Sequence, residues 1–103
     1  LGGWDGTKSA VESIDSQLGE FNESMIYYDP FEDEKKHRVR LEVTKGSICC
    51  FVDNIQKLKW VGDPARLSTW AVDKRLGDIY FVPFLTTSFQ VENLSVKPLV
   101  PKP

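Results

Sequence analysis

The fold of this chain is decided by residues 37–61, which read His37-Arg-Val-Arg-Leu-Glu-Val-Thr44, Lys45-Gly46, Ser47-Ile-Cys-Cys-Phe-Val-Asp53, Asn54 and Ile55-Gln-Lys-Leu-Lys-Trp60-Val61. In the first part of this stretch apolar and charged residues alternate one by one, which is the pattern of a strand with one buried face. The alternation breaks at Lys45-Gly46, and glycine accepts the positive φ that a two-residue hairpin turn requires. The stretch therefore predicts a hairpin that turns at Lys45-Gly46.

A turn at that place fixes the register of the hairpin. One face, which we expect to be buried, then pairs Val39 with Val52, Leu41 with Cys50 and Val43 with Ile48. The opposite face pairs Arg38 with Asp53, Arg40 with Phe51 and Glu42 with Cys49. A slip of one residue would move every side chain to the wrong face, so the register is well specified. Asp53-Asn54 predicts the next turn, because Asn tolerates the left-handed conformation, and a third strand follows to Val61.

The rest of the chain predicts further short strands separated by turn signals. We expect them at residues 7–14, where a helical turn is the alternative, and at 21–28, 78–85 and 86–96. Loops are expected at 15–20 and 29–36, and residues 65–72 are ambiguous. No segment has a clean helical periodicity. This arrangement is typical of an all-β antiparallel sandwich or barrel. We therefore predict one β-sandwich domain over residues 1–97 and a Pro-rich tail or linker over 98–103.

Composition excludes several classes of function. The chain has 103 residues and a net charge of −2, which argues against nucleic acid or an anionic membrane as an electrostatic partner. No apolar run approaches the ~20 residues that a membrane helix needs. Cys49 and Cys50 are adjacent in a predicted strand and point to opposite faces, so we expect no disulfide between them, a buried Cys50 and a half-exposed Cys49. Two cysteines and one histidine without the usual spacings predict no metal site, and no cofactor is expected.

Three segments of the chain resemble the concanavalin A-like jelly-roll accessory domains of α-L-arabinofuranosidase-type glycoside hydrolases. The first is the Leu1-Gly-Gly-Trp4 string with the Thr, Ala and Glu that follow it. The second is the hairpin from His37 to Asn54, and the third comprises 77–80 and 89–96. Asn54 stands where the family usually has Gly, and Val91 where an aromatic residue is frequent. Family members also have several strands before the Gly-Gly-Trp segment, whereas this sequence begins at Leu1.

The resemblance implies a jelly-roll β-sandwich, complete or incomplete, in a protein that degrades plant polysaccharide. The expected function is that of a non-catalytic accessory or carbohydrate-binding module. The sequons at Asn22 and Asn93 favour secretion in a eukaryote. Two alternatives stay open. One is a half-sandwich that assembles with a partner chain or with upstream strands, and the other is a small protein-interaction β domain without sugar affinity.

Sugar binding would use exposed aromatic rings, which stack on the C–H faces of sugars, together with planar polar groups. The candidate ligand-binding residues are Trp4, Trp70, Tyr27, Tyr28, Arg38 and Arg40. Trp4 lies in a glycine-rich loop, where either ligand contact or packing is open, and Trp60 is expected in the core beside Leu58. Tyr27 and Tyr28 are neighbours in a predicted strand, so one of the two rings is expected to be exposed.

The sequence assigns no catalytic residue. Glycoside hydrolysis needs two carboxylates that face one cleft, and no acidic pair lies on one strand face two residues apart. The acidic residues of 29–34 fit no calcium-ligand register and predict a solvated connector. The lone His37 is expected at the surface, remote from Cys49, so nucleophilic catalysis has no base.

Overall fold

The computed structural model describes residues 1–2, 7–30, 35–68 and 90–99. Their strands are β1 (Ser13–Ile14), β2 (Gln17–Leu18), β3 (Val39–Val43), β4 (Ser47–Val52) and β5 (Ile55–Val61). Single 3-10 turns occur at Gly19–Phe21 and Pro64–Arg66. The strands form two antiparallel sheets, β1-β2 and β3-β4-β5, which confirms the predicted all-β class.

The register predicted for the β3-β4 hairpin is confirmed pair by pair. The strands align Val39 with Val52, Arg40 with Phe51, Leu41 with Cys50, Glu42 with Cys49 and Val43 with Ile48. Next to the Val39–Val52 pair, at the end of the hairpin away from the turn, the Asp53 N–H donates to the Arg38 carbonyl at 2.8 Å, as the same register requires. The third strand is also where the sequence placed it, with a β-bulge opposite Cys50 and Phe51.

The turn at Lys45-Gly46 lies at the predicted place, but it forms in another way. The expected positive φ at Gly46 is wrong, since Gly2 is the one described glycine with such a φ. Thr44 provides the closure instead: its N–H donates to the Ser47 carbonyl at 2.9 Å, and its Oγ1 accepts from the Gly46 N–H at 3.3 Å. Thr44 Oγ1 and Ser47 Oγ also lie 2.7 Å apart. A hydroxyl side chain, rather than a glycine with positive φ, thus organises this turn.

Two other hairpin turns use positive φ without any glycine. Asp53 and Asn54 have φ of 52° and 65°, which confirms the predicted second turn. Asp15 and Ser16 have φ of 52° and 62° between β1 and β2, where the sequence predicted a loop. Positive φ at both central residues defines a type I′ turn, whose twist matches that of the strands on either side.

The expected burial of the hairpin face is wrong for β3. Cys50, Val52, Leu58 and Trp60 are buried, at 2–5% exposed, as predicted. On the same face Val39, Leu41 and Val43 are 45%, 61% and 58% exposed. The alternation correctly told which side chains share a face, but period-2 spacing carries no information about whether another layer covers that face. Here β3 is an edge strand of the described sheet, and its apolar side chains face solvent.

The two strands expected before residue 30 are wrong. The ladder across 7–14 and 21–28 is reduced to an isolated bridge between Ser9 and Ile26 and to the two residues of β1. The region expected to be a loop at 15–20 instead holds β2 and the start of a 3-10 turn. Polar side chains explain the difference, because the Val11 N–H donates to Ser24 Oγ at 2.8 Å and Asn22 Nδ2 donates to the Val11 carbonyl at 2.8 Å. Side chains that bond the backbone in this way compete with strand pairing.

The chain divides into two compact units, Leu1–Val72 and Asp73–Pro103. In the first, the segment after β5 bonds to β1, where the Asp15 N–H donates to the Arg66 carbonyl at 2.7 Å and the Ser68 N–H donates to the Ser13 carbonyl at 3.1 Å. In the second, residues 90–99 are described, and the strand expected to reach residue 96 is absent over 90–96. The strand predicted at 78–85 lies outside the described residues.

Candidate functional site

The predicted aromatic candidates are described only in part. Trp4 and Trp70 lie outside the described residues. Tyr27 is 78% exposed and Tyr28 is half-buried, so one ring of the pair is exposed, as the sequence suggested. Each ring has a lysine above it, with Lys8 Nζ 5.9 Å from the Tyr27 centroid and Lys57 Nζ 5.1 Å from the Tyr28 centroid. The half-buried tyrosine is therefore in contact with β5, whereas Tyr27 presents most of its surface to solvent.

Arg40 is exposed, and its guanidinium contacts three neighbouring side chains. Its guanidinium lies 4.2 Å above the Phe51 ring, its Nη1 donates to Asn54 Oδ1 at 3.0 Å, and its Nε lies 3.1 Å from Glu42 Oε1. A stacked and hydrogen-bonded guanidinium has fewer donors to offer a ligand. Arg38 is exposed as well, and its N–H donates to Asp53 Oδ1 at 3.0 Å.

The surface that the sequence analysis missed is the exposed apolar row of β3. We call Val39, Leu41 and Val43 the β3 strip. The three side chains lie on the face that holds the buried residues of β4 and β5, and each is about half exposed. The signal was present in the sequence, since the same alternation that predicted a buried face also predicts which side chains are exposed when that face is left open.

Among the described residues, β3 has a free backbone edge beside the strip. Thr44 and Arg38 direct their backbone groups toward β4, as the Thr44 N–H to Ser47 carbonyl and Asp53 N–H to Arg38 carbonyl bonds show. In an antiparallel ladder this direction alternates along the strand, so Arg40 and Glu42 also face β4. The backbone groups of the β3 strip therefore point away from the sheet, and no strand of the described residues pairs with them.

A charged cluster of Arg66, Asp15 and Glu23 links the segment after β5 to the N-terminal hairpin. Arg66 donates to Asp15 Oδ2 from Nε at 3.0 Å and from Nη2 at 2.7 Å, and it also bonds to Glu23. Hydrogen bonds from Arg66 hold the pKa of Asp15 below its ordinary value. The same bonds, with the one to Glu23, raise the pKa of Arg66 above its ordinary value. The guanidinium lies 5.7 Å from the Trp60 ring. This cluster is structural, because each charge is satisfied within the chain.

The described residues hold no catalytic arrangement. Both cysteines are free thiols, Cys49 half-exposed and Cys50 buried, as predicted. Burial raises the pKa of the Cys50 thiol, which disfavours the thiolate that a nucleophile needs. His37, expected at the surface, is half-buried, and its Nδ1 lies 2.7 Å from Asp53 Oδ2. No group of three His, Cys, Asp or Glu side chains suited to a metal occurs among the residues described. The same part of the chain contains no helix that could span a membrane.

The two sequons differ sharply in accessibility. Asn22 is 8% exposed, and its amide nitrogen donates to the carbonyls of Val11 and Gln17 at 2.8 and 3.2 Å. Its Oδ1 accepts from the Ser24 N–H at 2.9 Å. Attachment of a glycan to Asn22 would break this network, whereas Asn93 is exposed.

Comparisons with models of protein families, with curated proteins and with solved structures find no match.

Proposed function

We propose that this chain is an assembly module: a small β domain that extends its three-stranded sheet by taking an extended partner strand along the free edge of β3. The observation that supports this proposal is the β3 strip. Three apolar side chains on one strand are 45–61% exposed, and their backbone groups face the open edge. An edge strand of this kind is a template for pairing with another strand.

Occupation of this edge would bury apolar surface and satisfy backbone hydrogen bonds, and both contributions must offset the free-energy cost of association. Burying a Val or Leu side chain completely stabilises by about 1.5–3 kcal/mol, so covering three half-exposed ones contributes roughly 2–4 kcal/mol. Each new backbone hydrogen bond adds about 0.5–1.5 kcal/mol. Proteins commonly protect edges with proline, charged side chains or a bulge. β3 has no proline and no bulge over Val39–Val43, and its two charged side chains, Arg40 and Glu42, lie on the face opposite the β3 strip.

We propose in addition that the assembled form is a sandwich of jelly-roll type, of which the described sheet supplies one part. A second layer would cover the β3 strip in the way that Leu58 and Trp60 are already covered. Aligned sandwiches bury alternate residues of every strand, and β3 has the alternation without the cover.

Strand uptake can be tested with the full-length chain and a panel of soluble decapeptides in which apolar and polar residues alternate. NMR would follow the amide signals of Val39, Leu41 and Val43 while each peptide, or more of the chain itself, is added. We expect slower amide hydrogen exchange at these positions for at least one addition, and loss of the effect in Leu41→Lys. Val61→Lys is the matched control, because Val61 is 64% exposed on the opposite edge strand.

The proposal fails if no peptide and no concentration of the chain slows exchange at the three amides. It also fails if Leu41→Lys and Val61→Lys behave alike.

Polysaccharide binding is the second candidate, and the exposure of Tyr27 favours it. A ring that is 78% exposed with Lys8 beside it offers a stacking face and a hydrogen-bond donor. This candidate carries with it the secreted, glycoside hydrolase-associated context that the resemblance implies. Titration with arabinoxylan should change Tyr and Trp fluorescence, and Tyr27→Ala should weaken binding. An unchanged spectrum at saturating polysaccharide would exclude it.

A further inference from the structure

We infer that the strand taken up at the β3 edge is β3 of a second copy of this chain, paired antiparallel and centred on Leu41; this inference rests on the proposed function above. The argument starts from the order of residues in β3, which is Val39-Arg40-Leu41-Glu42-Val43. Apolar residues occupy both ends and the centre. Opposite charges lie on either side of that centre.

Backbone geometry limits the registers that two copies can use. The outward N–H and C=O groups of β3 belong to Val39, Leu41 and Val43, so these residues must pair with one another across the new edge. For two copies related by a two-fold axis, the registers that keep most of the strand paired are centred on Arg40, Leu41 or Glu42.

Charge selects one of the three registers. Centring on Arg40 places that arginine opposite itself, and centring on Glu42 does the same for the glutamate. Like charges directly opposite are destabilising. Centring on Leu41 instead places Arg40 of each copy opposite Glu42 of the other, and Val39 opposite Val43. Only this register pairs Val39, Leu41 and Val43, whose backbone groups point to the open edge, with one another and places no like charges opposite each other.

The same register places the charged pairs where side chains approach most closely. Leu41 meets its counterpart as a hydrogen-bonded pair, so Arg40 and Glu42 meet at non-hydrogen-bonded positions, where the strands bring side chains nearest. In the single chain Arg40 Nε already lies 3.1 Å from Glu42 Oε1. Pairing exchanges the one such contact within each chain, two in all, for two contacts between the copies, and it creates a two-fold symmetric, six-stranded sheet with a β5 strand at each edge.

A charge-reversal experiment tests the register directly by sedimentation equilibrium of the full-length chain. The wild type should show a reversible monomer–dimer equilibrium. R40E makes both polar positions of β3 acidic, and E42R makes both basic, so each alone should raise the dimer dissociation constant about tenfold. A mixture of the two variants should form a heterodimer at least as tight as the wild-type dimer, because all opposed charges are then unlike.

K59E is the matched control. Lys59 lies on the same outer face but on β5, and its reversal changes net charge by the same amount as R40E. K59E alone should have the dimer dissociation constant of the wild type. A mixture of K59E with E42R should form no dimer tighter than that of the wild type. Thermal unfolding of each variant at low concentration confirms that it is folded.

Three results would overturn the inference. A wild type that stays monomeric while a decapeptide slows exchange at the β3 amides would show that strand uptake occurs but that the partner is not a second copy. A dimer that R40E and E42R leave unchanged would show that the copies meet elsewhere. A monomer whose β3 amides respond to no addition would contradict the proposed function as well.

Discussion

Two halves of one sheet face have the same chemistry and opposite exposure. On β4 and β5, Cys50, Val52, Leu58 and Trp60 are 2–5% exposed, whereas the β3 strip is 45–61% exposed. Both halves place apolar residues on this face, and the ladder that joins them is interrupted only by the bulge opposite Cys50 and Phe51. Ile55 at the start of β5 is the exception in the buried half, at 59% exposed. The difference shows that alternation determines the face of a side chain, while burial depends on what packs over that face.

The sharpest test of this contrast is to truncate a leucine in each half. Leu58 is 5% exposed, so Leu58→Ala should lower the free energy of unfolding by about 2–5 kcal/mol through lost burial and a cavity. Leu41 is 61% exposed, so Leu41→Ala should cost less than about 0.5 kcal/mol at concentrations where the chain is monomeric. Urea unfolding of both variants measures the difference. Equal costs would mean that the β3 strip is covered in the monomer.

Glycine substitutions extend the contrast to one end of the sheet, where the Gly62 N–H donates to the Gly46 carbonyl at 3.0 Å. A Cβ at Gly62 would lie 2.6 Å from Trp60 Cζ2, against a buried ring that cannot turn aside. Gly62→Ala should therefore destabilise by about 1–3 kcal/mol. Gly46 has nothing within 4 Å of that position and no positive φ, so Gly46→Ala should be close to neutral. Thermal unfolding compares the pair, and a neutral Gly62→Ala would show that Trp60 is not packed as described.

A polar atom placed in each half gives a smaller effect. Val52 is 2% exposed, and Val52→Thr buries a hydroxyl at a cost of about 1–2 kcal/mol. Val43 is 58% exposed, so its hydroxyl in Val43→Thr stays hydrated and stability should hardly change. The same urea measurement applies, with the wild type as reference. A loss at Val43 that matched the loss at Val52 would remove the distinction between the halves.

The smallest expected effect concerns the ion pair beside the buried half. Arg66 lowers the pKa of Asp15 in the folded chain, so the pair contributes stability above the ordinary pKa of 3.8. That contribution is lost as the pH falls from this value through the lowered one, because the folded state must then take up the proton. Unfolding measured between pH 6 and pH 2 should show a smaller acid-induced loss in Asp15→Asn than in the wild type. Parallel curves for the two chains would contradict the assignment.

Sequence alone predicted the meander but not the rest of the described fold. The β3-β4 register could be predicted because alternation and turn position act locally and agree with each other. The structure before residue 30 could not be predicted, because backbone groups there form hydrogen bonds with the side chains of Ser24 and Asn22. The periodicity of the sequence gives no sign of such bonds. From the sequence, the turn is assigned to Gly46 because glycine is typical of hairpin turns, whereas the hydroxyl of Thr44 organises it.

The candidate site, too, could be predicted from the sequence only in part. Alternation identified Val39, Leu41 and Val43 as one face, and that part was correct. Their exposure could not be deduced, since it depends on which strand lies beside β3 and which layer lies above it. Arg40 stays a predicted ligand-binding residue, and its contacts with Phe51, Asn54 and Glu42 could not be deduced from the sequence either.

The central claim is that β3 has an open edge in the monomer and a covered one in the assembly, and amide hydrogen exchange at Leu41 and Cys50 tests it most directly. These residues are cross-strand neighbours, but the Leu41 N–H points to the free edge and the Cys50 N–H points to β5. We predict that in dilute solution Cys50 is protected and Leu41 exchanges rapidly, and that Leu41 becomes protected as the chain concentration rises. Protection of Leu41 at every dilution, or rapid exchange at every concentration, would contradict the account.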